Sequence, residues 1–184
     1  MKFIDLISAS TGFLLLLCSC SLTQKSDRDS MSEIYSDVMA YEFSYGHRGY
    51  LDYCENDNMI VSSLTDDYSV RMGWETASID FPKLEKETWD NFVEVNAKQI
   101  PFPADLELGC KYTLLDVEID PPGWSRENCV SVEYFSQIGF NSRKNQAVVW
   151  RSASCGDFAF GNTYFAELID GHWIVTEISE GFIT

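Results

Sequence analysis

The sequence predicts an α+β fold, with two helices in its first half and an antiparallel sheet of four to five strands in its second half. The chain has 184 residues, of which 45% are hydrophobic. That length suffices for one well-packed core and is too short for two. Apolar residues recur at helical spacing before residue 97 and alternate with polar ones from residue 106 onward. We therefore expect one globular domain over residues 32–184.

The first predicted helix begins at Ser32, a good N-cap residue that is followed by Glu33 in the first turn. The sequence predicts that this helix ends near Gly46. Its apolar residues recur at helical spacing and are Ile34, Val38, Tyr41 and Tyr45.

Two short strands and a second helix should come next. The strands are Met59–Leu64 and Ser69–Trp74, with a turn candidate at residues 66–67 between them. The helix follows Pro82 and spans Leu84–Asn96, where Asn96 is a plausible C-cap. Its buried face would hold Leu84, Thr88, Trp89, Phe92 and Val95.

Alternating apolar and polar residues in the second half predict the sheet. The candidate strands are residues 112–119, 129–140, 146–152, 162–169 and 173–179. Asp170-Gly171 separates the last two and favours a tight hairpin turn. A helix laid across such a sheet resembles the cystatin-like and NTF2-like folds, and this likeness concerns architecture alone.

The first twenty residues predict export and lipidation. Their apolar stretch is too short for a spanning helix and suits the central part of a signal peptide. It ends in Leu17-Cys18-Ser19-Cys20, which resembles the lipobox of bacterial lipoproteins. The resemblance implies a signal peptide over residues 1–19, a lipid on Cys20 and a flexible tether over residues 20–31. An ordinary secretory leader with two incidental cysteines is the alternative.

The lipobox also implies a location. Acyl chains on Cys20 would hold the protein on a membrane without a spanning helix. Ser21 follows the anchor cysteine, and a residue other than Asp there implies sorting to the outer membrane. We therefore expect a protein of the bacterial cell envelope, on the periplasmic face or exposed at the surface.

A second resemblance covers about the last hundred residues. It rests on the strand segment 146–149, on Cys155-Gly156, and on the closing hairpin with Gly171 and Trp173. These elements look like those of a group of uncharacterised bacterial secreted proteins and lipoproteins. In that pattern a second cysteine often follows the first, and Ala159 stands in its place here. The group implies no activity.

Charge excludes one class of partner and favours another. The chain has 13 basic and 29 acidic residues, a formal net charge of -16. Such a surface repels phosphate backbones, so we expect no nucleic-acid binding. It favours a protein partner with a basic face. No nucleotide-binding or hydrolase motif occurs in the sequence, which implies no cofactor.

Four cysteines beyond the leader are disulfide candidates, because an even number in an exported protein suggests disulfides. They are Cys54, Cys110, Cys129 and Cys155. Three pairings are possible. Cys110 with Cys129 encloses a short loop and is geometrically easy, and it would leave Cys54 with Cys155. No pair has the CxxC spacing typical of zinc or redox sites.

Few residues are candidates for a functional site. His47 lies in a glycine-flanked, aromatic-rich loop and is a weak candidate for a general base. Three carboxylates alternate along one strand and could hold Ca²⁺, although a solvated sheet face is the simpler explanation. These are Asp116, Glu118 and Asp120. The weak binding candidates are Tyr45, Tyr50, Trp124 and Asp157.

The sequence supports three hypotheses of function. The first is a non-enzymatic, lipid-anchored binding or interaction module. The second is a hydrolase-like enzyme with a pocket near His47. The third is an envelope protein stabilised by Ca²⁺. The missing catalytic motifs favour the first.

Overall fold

The computed structural model describes residues 25–45, 59–66, 72–116, 131–155 and 158–183. Within these ranges the helices are α1 (Asp27–Tyr45), α2 (Trp74–Asp80) and α3 (Lys86–Val95). The strands are β1 (Met59–Ser62), β2 (Tyr112–Leu115), β3 (Val132–Phe135), β4 (Gly139–Phe140), β5 (Gln146–Cys155), β6 (Phe158–Ile169) and β7 (His172–Ile183).

The strands form one mixed sheet in the order β2-β1-β3-β5-β6-β7, with β4 beside β5. β1 pairs in parallel with both β2 and β3, and the remaining pairs are antiparallel. The α+β class is therefore confirmed. The sheet differs from the expected four to five antiparallel strands, because the helical segment after β1 carries the chain back to run parallel to it.

Helices cover both faces of the sheet, and each face has its own core. Alternate residues of β5 point to opposite faces, so Ala147 and Val149 join the core under α1 while Val148 and Trp150 join the core under α2 and α3. The α1 side also buries Ile34, Tyr35, Val38, Met39, Phe135 and Tyr164. The opposite side also buries Ala77, Phe81, Leu84, Trp89, Phe92 and Phe165.

Helix α1 begins at Asp27, ahead of the expected N-cap Ser32. Ser30 is buried and Met31 packs against the core, so residues 27–31 belong to a packed helix instead of the expected tether. Two acidic residues in the first turn favour this earlier start through the helix dipole. The helix is described as far as Tyr45, and the predicted end near Gly46 lies at the limit of the described residues.

Trp74 is the first residue of helix α2. The predicted strand Ser69–Trp74 is therefore wrong at Trp74. Gly73 takes an extended conformation and is the N-cap of α2. Ala77 of α2 is buried, so this short helix is held by packing on the α3 side of the sheet. Residues 67–71 lie outside the described residues.

The second predicted helix and the hairpin turn are confirmed. α3 ends at the C-cap Asn96 and buries Thr88, Trp89 and Phe92. Asp170 and Gly171 both have positive φ, which is the requirement of a tight turn between two long antiparallel strands. The single strand expected over residues 129–140 is divided in the structure, because residues 136–138 leave the sheet between β3 and β4.

Candidate functional site

Most residues singled out in the sequence lie outside the described part of the chain, which leaves their roles as predictions. These are Cys20, His47, Tyr50, Cys54, Glu118, Asp120, Trp124, Cys129 and Asp157. Tyr45 ends α1 and Cys155 ends β5, and only their backbones are described. Asp116 is exposed directly after β2. Cys110 lies in the described loop before β2, and its disulfide stays a prediction because no other cysteine side chain is described.

A buried ion pair joins β3 to β5. The Arg151 Nη2 atom lies 2.7 Å from Glu133 Oε2, and each side chain is 2% exposed. The register pairs Arg151 with Phe135 and Glu133 with Ala153, so both charged side chains point to the α1 face of the sheet. Ser131 Oγ lies 3.3 Å from the second Glu133 oxygen, to which it donates a hydrogen bond.

Helix α1 adds a second carboxylate to this pair. Glu42 Oε2 lies 3.4 Å from Arg151 Nη1, and Glu42 Oε1 accepts a hydrogen bond of 2.7 Å from Asn162 Nδ2. The Tyr164 hydroxyl also donates to Glu42 Oε1. We call these five residues the charged cluster: Glu42, Glu133, Arg151, Asn162 and Tyr164. It fastens the last turns of α1 to β5 and β6.

Burial shapes the electrostatics of the charged cluster. Desolvation raises the pKa of Glu133, and the nearby Arg151 guanidinium opposes that rise only in part. Burial works to lower the pKa of Arg151, but Glu133, Tyr164 and Glu42 outweigh it and raise that pKa. Burial also raises the pKa of Tyr164. Arg151 therefore stays charged while Glu133 holds its proton more tightly than an exposed glutamate.

The charged cluster is not among the sites that the sequence predicts. One signal was available in the sequence. Arg151 follows Ala147 and Val149 at every second position of β5, so its side chain points to the same core-facing side of the sheet. A charged residue in such a position needs a partner, since an unpaired buried charge is very costly. The partner was not deducible, because Glu133 and Glu42 come from distant parts of the chain.

A groove of about 930 Å³ runs beside the first half of α1. We call it the α1 groove. Its other walls come from the loop before β2 and from the turn between β6 and β7. Five carboxylates and two permanent cations line it, together with His172 and Trp173. The carboxylates are those of Asp29, Glu33, Asp37, Asp105 and Glu107, and the cations are Lys25 and Arg28.

Ion pairs occupy part of the α1 groove. Lys25 pairs with Glu33 and Arg28 with Asp105. His172 Nδ1 lies 3.1 Å from Glu33 Oε1 at the exposed turn. Burial works to raise the pKa of Glu33, but hydrogen bonds from Lys25 and His172 outweigh it, so that pKa lies below its ordinary value.

Two exposed carboxylates of the groove form no ion pair among the described residues. Asp29 and Glu107 form no ion pair with any cation in the described ranges, and both are exposed. Asp37 is used internally, because its Oδ2 accepts a hydrogen bond of 2.6 Å from the Val175 backbone N–H. The groove therefore offers unneutralised negative charge at its rim.

A second groove lies on the other side of the α1 N-terminus, between α3 and residues 138–144. Its lining includes Asp90 and Glu94 of α3. Lys86 pairs with Asp90 within the helix at 2.6 Å. This second groove is a matched acidic surface for comparison with the α1 groove.

No protein-family model, no curated protein and no solved structure matches the chain. Among the described helices, none is long and apolar enough to cross a membrane. The described ranges also contain no group of three or more His, Cys, Asp or Glu side chains placed to hold a metal ion. The charged cluster and the α1 groove are therefore the features on which a functional proposal rests.

Proposed function

We propose that the chain is a lipid-anchored protein of the bacterial cell envelope whose folded domain is a non-enzymatic binding module. The α1 groove is the observation that carries this proposal. Its carboxylates outnumber its permanent cations by five to two, which favours a protein partner with a basic face. The formal net charge of -16 extends the same preference over the whole chain.

The start of α1 gives the anchor a short reach. With a lipid on Cys20, residues 21–26 would connect the membrane to Asp27. Six residues span about 20 Å when fully extended. Lys25 and Arg28 line the α1 groove close to this connection, so the groove would face a partner held at the same membrane.

The anchor is tested by matched cysteine variants. Cells expressing the full chain would be fed an alkyne fatty acid, and the label would be read after fractionation. We expect Cys20→Ala to lose the label and leave the outer-membrane fraction, while Cys18→Ala keeps both. A label that survives Cys20→Ala would contradict the proposed anchor.

The binding role is tested by crosslinking in the native envelope. The tagged full-length protein would be recovered after crosslinking, and its associates quantified by mass spectrometry. We expect one stoichiometric partner whose recovery without crosslinker falls as salt rises, because exposed charge pairs are screened. Recovery of the protein alone would count against a binding module.

The charged cluster supports a second candidate function, the hydrolase-like enzyme. Two carboxylates of different environment around one arginine are typical of acid–base sites, and the pKa of Glu133 is raised by burial. Glu42 lies near the end of α1, five positions before His47 in the chain. This reading requires that Glu133→Gln, Glu42→Gln and His47→Ala each abolish a hydrolysis found in a screen of chromogenic esters and glycosides. No hydrolysis by the parent chain would exclude it for those substrates.

A further inference from the structure

We infer that α1 covers one edge of the sheet and thereby prevents a second copy of the chain from pairing with β7. The contact joins two carboxylates of α1, Glu33 and Asp37, to the backbone N–H groups of Trp173 and Val175. Without these carboxylates, β7 of one copy would pair antiparallel with β7 of another. The inference goes beyond the proposed binding function and does not depend on it.

β7 is a long edge strand. It has 12 residues and is last in the strand order, so no strand of the described residues pairs with its outer side. An edge strand leaves alternate backbone N–H and C=O groups without a strand partner, and these can pair with another chain. Trp173 and Val175 direct their N–H groups away from β6, because both donate to α1, whereas Ile174 between them faces β6.

The two carboxylates match this edge in spacing. Glu33 and Asp37 are four residues apart on α1, which is a rise of about 6 Å along the helix. Trp173 and Val175 are two residues apart on β7, which is a rise of about 7 Å along the strand. Asp37 Oδ2 accepts from the Val175 N–H at 2.6 Å, and the Glu33 carboxylate accepts from the Trp173 N–H. One turn of α1 therefore satisfies two neighbouring edge donors.

The part of β7 that α1 covers is the part whose own sequence offers no protection. We call His172–Thr176 the covered half. It consists mainly of strong β-formers, contains no Asp, Glu, Lys or Arg, and has Ile174 at its centre, 41% exposed. The rest of β7 carries Glu177 and Glu180, and a bulge in the pairing with β6 separates the two parts. Charges and bulges keep edge strands from pairing, so α1 supplies that protection where the strand lacks it.

The outward-facing groups also define the register of the proposed pair. If two covered halves pair antiparallel about Ile174, Trp173 of each copy lies opposite Val175 of the other, and these residues exchange their N–H···O=C bonds. Ile174 then lies opposite Ile174 of the second copy, with the two Cα atoms about 4.5 Å apart. The pairing involves residues 172–176 alone, so Glu177 and Glu180 do not oppose it.

The first test measures self-association of the full chain in density-matched detergent micelles by sedimentation. We expect Glu33→Ala/Asp37→Ala to associate into dimers at least tenfold more tightly than the parent chain. Glu33→Gln/Asp37→Asn removes the same charges but keeps an acceptor oxygen at each position, so it should behave as the parent does. Asp90→Ala/Glu94→Ala removes two carboxylates of the same spacing from α3 and should also leave association unchanged. Equal association of the parent and the Glu33→Ala/Asp37→Ala variant, or a comparable gain in either control, would overturn the inference.

The register is tested by adding Ile174→Cys to the parent chain and to the Glu33→Ala/Asp37→Ala variant. Cα atoms about 4.5 Å apart lie within the range that a disulfide can bridge. After mild oxidation, peptide mass spectrometry should find a link between positions 174 of two copies in the alanine background, and at least tenfold less of it in the parent background. Dimers of the alanine background without this link would overturn the pairing through β7.

The single variant Asp37→Ala gives a measurement that does not require the double variant to fold. We expect amide exchange at Val175 to become about tenfold faster, because its N–H loses its acceptor. Exchange at Ile174 should stay unchanged, because its N–H faces β6. Asp37→Asn keeps an acceptor oxygen and should keep the parent rate at Val175. An unchanged rate at Val175 in Asp37→Ala would overturn the inference, since α1 would then not cover the edge.

Discussion

Arg151 and Glu133 form an ion pair of 2.7 Å in which each side chain is 2% exposed. Such a pair contributes little net stability, because desolvating both charges offsets their attraction, but removing one partner is costly. Here the pair also holds separate elements of the fold together. Arg151 is shared with Glu42, so a single guanidinium connects β3 and β5 to the last turns of α1.

The first prediction concerns the energetics of this pair. Arg151→Met should lower the free energy of unfolding by about 3–5 kcal/mol, because it leaves Glu133 buried without its cation. In the double variant Glu133→Gln/Arg151→Met the loss should be smaller than the sum of the two single losses. Urea denaturation of all four chains measures the coupling. Additive losses would contradict the pairing.

The second prediction concerns pH. Burial raises the pKa of Glu133 above its ordinary 4.5, so the folded protein binds this proton more tightly than the unfolded chain. The resulting stabilisation is fully present below pH 4.5 and is lost as the pH rises through the raised pKa. Relative to Glu133→Gln, the parent chain should therefore lose unfolding free energy as the pH rises above 4.5. Urea denaturation across pH 4–8 measures this.

The urea denaturation across pH has a control variant and an outcome that would contradict the prediction. Glu94→Gln is the control, because it removes one exposed carboxylate of α3 in place of the buried one. If the attraction of Arg151 instead outweighs the effect of burial, the pKa of Glu133 would be lowered. The stability of the parent chain relative to Glu133→Gln would then increase with pH. That outcome would contradict the direction assigned to Glu133.

Local patterns in the sequence predicted the local structure well. α3 and its C-cap Asn96 follow from apolar spacing, and the β6–β7 turn follows from Asp170-Gly171. In each of these elements the signal that predicts it lies within a few residues along the chain, although Asn96 also bonds to the distant Gln137. The start of α1 was missed because Ser30 is buried by distant parts of the fold, which local spacing does not reveal.

Pairing between distant segments was not predictable in the same way. The parallel neighbours of β1 come from residues 112–115 and 132–135, and no turn signal specifies that choice. The charged cluster combines residues from α1, β3, β5 and β6, and the sequence marks only Arg151 as core-facing without indicating its partners. The net charge of -16 predicted an acidic surface in general, while the α1 groove itself depends on how the β6–β7 turn meets α1.

The third prediction concerns two glycines packed against Trp150. A Cβ atom on Gly161 or Gly181 would lie 2.6 Å from Trp150 Cη2, well inside contact distance. Each Gly→Ala substitution should therefore lower the free energy of unfolding by about 1–3 kcal/mol. Gly73→Ala is the control, because nothing lies within 4 Å of its added Cβ, and its effect should stay within about 1 kcal/mol. Thermal denaturation distinguishes them, and equal effects at all three positions would refute the packing argument.

The fourth prediction concerns Asn96, which joins the end of α3 to the break between β3 and β4. Its side-chain amide donates to Phe92 O at 2.8 Å and to Gln137 O at 2.9 Å, and its oxygen accepts from Gln137 N–H at 2.7 Å. Asn96→Ala removes these three hydrogen bonds, two of which hold the Gln137 backbone, and should cost about 3 kcal/mol of unfolding free energy.

Asn91→Ala provides the comparison for Asn96, because Asn91 lies on the same helix and makes one such bond, accepting from Phe140 N–H at 2.9 Å. It should cost about 1 kcal/mol. Urea denaturation of both variants gives the two losses directly. Since Asn96 also holds residues 136–138 outside the sheet, its loss should speed amide exchange at Gln137 more than at Phe140. Equal losses and equal exchange would mean that the end of α3 is held by its apolar face, through Trp89 and Phe92, and not by the Asn96 amide.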